Sequence, residues 1–339
     1  MAASRPLIRV VEPPACIPGG EFHVRGSHLT ARSERPEVLI GDQTAHLVVG
    51  SESYLVARVS EGTTVGELVV DNRVGASSEP YFCGIGIQIA EGIHPVANPA
   101  VDQRGYIYST MSGSRGQKTP VAVYSIDLNY SVKPHVADLM NATGLAVDRD
   151  GLLYVSSRYD GVVYQVSPSG SMNTFVEGMG VATGICFDGA GNLYVGDRSG
   201  TIFKVSPDRQ IFVFATMEQS IAAYHLAFGA DGYLYVTGPT TSSFDCVHRI
   251  SPSGEVEMYY RGLGRPQGLA FDSEGNLYVA ASFGGSRGIV RIDEGRKAEL
   301  FVSGPNIVGL AFSPSRAMIV ATNNALYRLD VQLGPLELE

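Results

Sequence analysis

One phrase recurs along this chain from residue 97 onward, and its period limits the folds open to it. The phrase is a short apolar strand, a tight turn and a second apolar strand. It reads NPAVDQRGYIYS from Asn98, GLAVDRDGLLYV from Gly144 and GICFDGAGNLYV from Gly184. It continues as HLAFGADGYLYV from His225, GLAFDSEGNLYV from Gly268 and GLAFSPSRAMIV from Gly309. The equivalent apolar positions are Val101, Val147, Phe187, Phe228, Phe271 and Phe312, separated by 46, 40, 41, 43 and 41 residues.

Within four copies an Asp (Asp102, Asp148, Asp188, Asp272) stands three residues before a Gly (Gly105, Gly151, Gly191, Gly275). Asp can accept a hydrogen bond from its own turn, and Gly tolerates the left-handed backbone that ends it, so the spacing predicts a hairpin. A third strand follows, as in VVYQVSP from Val162 and TIFKVSP from Thr201, then a fourth, as in NTFVEG from Asn173. The Ser-Pro pairs close the third strand, because Pro cannot donate to a ladder. Six copies of four strands at this period predict a six-bladed β-propeller over residues 84–331, with 332–339 as a tail. The sixth copy has only three strands. The missing one is expected upstream, at Ile85 to Ala90, where IQIAEGIHPVANP from Ile87 aligns with TFVEGMGVATG from Thr174. That strand would close the sixth blade and remove the exposed edges of an open array. It also explains Glu91-Gly92 as a repeat feature matching Glu177-Gly178.

Residues 1–83 carry a different pattern. LIRVVEP, GEFHVRGSHL, PEVLIGD, AHLVVGS, YLVARVS and GELVVDN alternate apolar and polar residues between turn clusters, as in a small β-sandwich. Pro13-Pro14, Gly19-Gly20-Glu21-Phe22, Val24, Gly26 and Leu29, followed by Val38 to Gly41 and Ala45, resemble the opening of an IPT/TIG domain of immunoglobulin-like fold. The resemblance implies a spacer or docking module. The whole chain is therefore expected to be all-β.

Composition excludes some functions. The formal charge is −9, without a basic stripe, which argues against nucleic acid as a partner. No stretch approaches the roughly 20 apolar residues of a membrane helix. Met1 to Val11 lack the apolar core of a signal peptide, so the expected compartment is the cytoplasm, an exported protein with a removed leader being the alternative. Cys16, Cys83, Cys186 and Cys246 have neither CxxC nor zinc spacing, which predicts buried thiols, with a Cys16–Cys83 bridge as the alternative.

Chemistry is expected at the mouth where the innermost strands begin, since the loops joining second to third strands reach the same face. Ala97, Thr143, Thr183, Tyr224, Gln267 and Val308 precede the repeated phrase there, and His94, Arg158, Asp160, Asp197, Arg198, Ser282, Arg287, Asn323 and Asn324 lie in the neighbouring connections. From these, His94, Arg158, Asp197, Arg198, Gln267, Arg287 and Asn323 are the candidate ligand-binding residues. His225 replaces the Gly or Asn of the other copies, and with Tyr224 it is the candidate acid–base group, Asp197 with Arg198 being the alternative.

Over residues 85–331 the repeats resemble the gluconolactonase/regucalcin family and, more loosely, NHL repeats. The resemblance implies a lactonase whose Glu, two Asn and Asp hold a divalent cation such as Ca²⁺ at the mouth. Ala97 stands where that Glu belongs, and Thr143, Thr183 or Tyr224 stand at the other places. The metal-ligand set is therefore missing, and no cofactor is expected. Two readings follow: a scaffold that recognises a small molecule or protein partner at the mouth, or a lactonase- or esterase-like hydrolase, or a lyase, using His225.

Overall fold

A computed structural model describes residues 4–31, 34–74, 77–111, 113 and 117–338; residues 1–3 of the first unit and Glu339 of the tail lie outside the described residues. Among the described residues every regular element is a β-strand. In the repeat region each phrase becomes the two inner strands of a sheet, as in Ala142–Val147 paired with Leu153–Ser157, followed by Val162–Val166 and Met172–Val176. The same antiparallel order recurs in sheets starting at Ala100–Val101, Ala182–Phe187, His225–Phe228, Leu269–Phe271 and Ile307–Phe312. Each of these inner strands touches the next, and Ile307–Phe312 touches Ala100–Val101, so the array closes on itself as a β-propeller.

The repeated residues explain why the sheets form and stack. Asp148 Oδ1 accepts the backbone N–H groups of Asp150 and Leu152, both at 2.9 Å, while Gly151 turns back at φ +79°. Asp188 does the same for Ala190 and Asn192, and Asp272 for Glu274 and Asn276. The Tyr six residues beyond the turn's start then packs against the inner-strand Phe of the next sheet. Tyr154 meets Phe187 at 4.9 Å, Tyr235 meets Phe271 at 4.9 Å and Tyr278 meets Phe312 at 5.1 Å between ring centroids, all edge-on; Tyr194 stacks on Phe228 at 5.4 Å. Contacts of this kind contribute about 0.5–1.5 kcal/mol each beyond area burial, and here they are laid from sheet to sheet.

The final sheet takes its outer strand from the other end of the repeat region. Ile87–Glu91 pairs antiparallel with Ala325–Asp330, Ile87 opposite Arg328 and Glu91 opposite Ala325. The expected segment 85–90 is corrected at its start. Ile85 belongs to the separate strand Gly84–Ile85, which pairs in parallel with Ala15–Cys16. A break at Gly86, whose N–H donates to the Cys16 carbonyl at 2.8 Å, divides the two strands.

The first unit has two sheets, in the order Leu7–Glu12, Glu21–Ser27, Tyr54–Arg58, His46–Gly50 and the order Gln43–Thr44, Glu37–Ile40, Glu67–Asp71, Tyr81–Phe82. Phe22, Val24, Leu29, Leu55 and Leu68 form their shared core. The unit is stitched into the propeller. Ala15–Cys16 runs parallel to the outer strand Ala298–Ser303, and the N–H groups of Ile17 and Glu21 donate to the carbonyl and hydroxyl of Ser303, both at 3.0 Å. Ile17 is fully buried among Tyr278, Ile289, Val302 and Ile307 of the propeller, whereas Cys16 lies in the first unit's core. All four cysteines are free thiols, so the Cys16–Cys83 bridge is not formed. Because Ile17 fills the propeller side of this junction, Ile17→Ala should lower the unfolding free energy by about 2–5 kcal/mol, measured by urea denaturation.

Candidate functional site

Neighbouring inner strands approach so closely at their starts that only a hydrogen fits between them. A Cβ on Gly144 would lie 2.4 Å from the Thr183 carbonyl oxygen, and one on Gly184 would lie 2.5 Å from that of Tyr224. The Gly184 N–H donates directly to the Tyr224 carbonyl at 2.8 Å, and the Gly268 N–H to that of Val308 at 3.0 Å. Asn98 spans three sheets, donating to the Leu269 carbonyl at 2.7 Å and accepting from the Leu310 N–H at 3.1 Å. The inner strands are therefore drawn tight at the mouth face, where the sequence places the site. The channel widens towards the Asp–Gly turns into a cavity of about 1160 Å³, lined by Leu145, Val147, Phe187, Leu269 and Leu310 among others.

His225 stands where the other repeats have Gly or Asn. Leu226 and Phe228 pack on the preceding sheet with Tyr194, so strand alternation turns His225 towards the following one, as Ala227 packs with Leu269. The residue is buried, 6 % exposed. Burial pushes its pKa down to about 4, so it is neutral near pH 7. Opposite it in register is Thr237, whose hydroxyl donates to the Gln267 carbonyl; Gln267 Oε1 in turn accepts from Arg287 at 2.5 Å. The fold thus brings His225, Gln267 and Arg287 to one seam. Tyr224 is fully buried on the side of the preceding sheet, where its hydroxyl donates to the Glu218 carbonyl and burial pushes its pKa up to about 12.

The remaining candidates are distributed around the face. The Arg198 side chain donates to the carbonyls of Ser220 and Ile221 at 3.2 and 3.1 Å, and Asp197 accepts from the N–H groups of Val181 and Ser199 at 2.8 and 3.1 Å. Arg287 also donates to the carbonyls of Ile307 and Arg265, at 3.1 and 3.0 Å. Its burial and the nearby Arg265 lower its pKa to about 10. Arg158 reaches the Gly113 carbonyl at 3.4 Å, and His94 Nδ1 lies 2.7 Å from the Asn323 carbonyl oxygen. Asp197 fastens the loops of its own sheet, and the others fasten one sheet's loop to the next.

One lip of the face was missed by sequence reasoning. The segments around Ser220 and Thr240 form a β-bridge, and the Ile221 N–H donates to the Pro239 carbonyl at 2.9 Å. This places Glu218 against the hydroxyls of Thr241 and Ser242, which hold its carboxyl down at about 2. Ile221 and Phe244 stand 50 % and 55 % exposed in the same two loops. Both loops vary freely between repeats, so periodicity gives no signal for them. Among the described residues no group of three or more His, Cys, Asp or Glu is arranged to hold a metal ion, and no helix is long and apolar enough to cross a membrane.

Buried neutral His225 gives stability a defined pH dependence. Above about pH 6.5 the imidazole is neutral in both folded and unfolded chains and contributes no slope. As the pH falls from 6.5 towards 4 the unfolded chain takes up the proton first, so stability is lost, by roughly 3 kcal/mol in all. Urea denaturation between pH 7 and 4 should show this loss, and His225→Asn should reduce the slope by that amount.

No protein-family model matches the sequence, and no curated protein matches it. Solved structures do. A Xanthomonas campestris gluconolactonase is 14 % identical, with a TM-score of 0.62 over 73 % of this chain and 89 % of its own. An auxiliary nutrient binding protein from Bacteroides thetaiotaomicron is 10 % identical, with a TM-score of 0.58 over 97 % and 99 % of the two chains. Virginiamycin B lyase from Staphylococcus aureus is 11 % identical, with a TM-score of 0.51 over 88 % and 99 %. At these identities the likeness is one of fold: the chain is an all-β protein with a gluconolactonase-like β-propeller.

Proposed function

We propose that this chain is a binding protein, a six-bladed propeller behind an IPT/TIG-like sandwich, that takes a small molecule on its mouth face at the lip formed by Glu218, Ile221 and Phe244. The observation that carries this reading is the division of labour on that face. Its candidate polar side chains, Asp197, Arg198 and Arg287 above all, are committed to backbone groups, while Ile221 and Phe244 stand exposed in the two joined loops that carry the ionised Glu218 carboxylate. An apolar body fits the two side chains, and a cationic or hydrogen-bond-donating group fits Glu218. The Bacteroides nutrient binding protein supports a binding role, because its likeness extends over both parts of the chain.

Beneath the lip, Tyr224 donates its hydroxyl to the Glu218 carbonyl and so holds the start of that loop, while His225 lies buried next to it in the chain. A neutral imidazole with a pKa of about 4 is poorly matched to proton transfer near pH 7, which weighs against the hydrolase or lyase reading.

Two outcomes separate the readings. In calorimetry against a panel of small apolar cations, sugars, lactones and aryl esters, a ligand should bind without turnover. Phe244→Ala should weaken that ligand roughly tenfold or more, as loss of a buried aromatic contact does. Turnover of a lactone or ester that disappears in His225→Ala would replace the binding reading with the enzymatic one. Titration with Ca²⁺, Mg²⁺ or Zn²⁺ should leave the melting temperature unchanged.

A further inference from the structure

The end of the channel opposite the lip is crossed by the chain itself. After its last strand the segment Gln332 to Leu338 runs over the turns, from the sheet of Ile307–Phe312 towards that of Ala142–Val147. The Gln332 N–H donates to the Arg316 carbonyl at 3.0 Å, and the Ser273 N–H donates to the Gly334 carbonyl at 3.0 Å. Pro335 forms an antiparallel bridge with Asp272, and the Arg149 guanidinium donates to the Leu338 carbonyl at 2.7 Å. Leu336 and Leu338 line the cavity together with Leu145, Val147 and Leu310, yet the cavity keeps its volume of about 1160 Å³.

The way this segment is held matters more than its presence. Its contacts are those of an extended peptide laid on a strand-like edge: backbone bonds to one turn, a guanidinium on a carbonyl, and spaced leucines over an apolar opening. None of its residues is fully buried, and Gln332 and Glu337 are exposed. A segment with so little core should open locally at far lower cost than the sheets beneath it.

We propose that the turn-face end of the channel is a binding site for a short extended peptide with spaced leucines, and that residues 332–338 occupy it in cis as a removable strap. Lifting the strap exposes the Ser273 N–H, the Arg149 guanidinium and the apolar opening to a second peptide of the same chemistry. The site lies at the other end of the channel from the lip and is independent of the ligand proposed there.

The test uses the full chain and a fluorescent, C-terminally amidated synthetic peptide with the sequence of residues 332–338. Leu336→Asp with Leu338→Asp should loosen the strap, so this double variant should bind the peptide at least ten times more tightly than the unaltered chain, by anisotropy. Hydrogen exchange at the Ser273 amide should quicken in the variant and slow again when peptide is added. Arg149→Ala in the same background should weaken the peptide by roughly fivefold, the loss of one charge-assisted hydrogen bond at a partly exposed site. Equal binding by variant and unaltered chain, no binding to a variant of unaltered melting temperature, or unchanged Ser273 exchange would overturn the proposal. Should the aspartates lower the melting temperature markedly, Leu336→Ala decides on the same two readouts: a smaller gain in binding and faster Ser273 exchange are expected, and the absence of both would contradict the strap.

Discussion

Everything in the repeat region depends on the pairing of Ile87–Glu91 with Ala325–Asp330. The repeats stack one on the next through Tyr–Phe contacts, and stacking alone would leave Ala325–Asp330 as an unpaired edge where the ring's two ends meet. An outer strand drawn from before the first repeat joins the final sheet and ties the two ends of the array by main-chain hydrogen bonds. The same stretch of chain, two residues earlier, pairs with Ala15–Cys16 and so carries the first unit against Ala298–Ser303. Ring closure and attachment of the first unit are thus consecutive acts of residues 84–91.

Closure sets what chemistry the channel can host. With the inner strands held in a ring, their starting residues are pressed together, and Gly144, Gly184, Gly268 and Gly309 are the residues that fit. The one imidazole admitted to this layer loses its hydration and its charge near neutral pH. Polar side chains just outside the layer are drawn into fastening loops to neighbouring sheets. Accessible apolar groups on one face include Ile221 and Phe244 at its periphery, and the other face opens into the cavity beneath the strap.

Much of this was legible in the residues. The Asp-to-Gly spacing and the apolar period mark the inner hairpins because the same turn chemistry is needed in every sheet. The borrowed strand could be read from the match between Ile87 and Thr174 onward, although its start was misplaced by two residues. Alternating burial does not reveal that Gly86 breaks the strand in order to bond to Cys16. The first unit's insertion through Ile17 was hidden for the same reason, as an apolar residue looks alike in either core. His225 was visible as a departure from Gly, but its burial depends on the distance between strands, which no local pattern encodes. Glu218, Ile221 and Phe244 left no trace, since their juxtaposition comes from two non-repeating loops joined at Ser220 and Thr240.

Native-state hydrogen exchange of the closing strand tests this account most directly. If the pairing of Ile87–Glu91 with Ala325–Asp330 holds the ring, its amides should exchange only through global unfolding, with the same opening free energy as the amides of Ala182–Phe187. Exchange of the closing strand at an opening free energy several kcal/mol lower, with Ala182–Phe187 still protected, would show that the ring stands without it and would contradict the account.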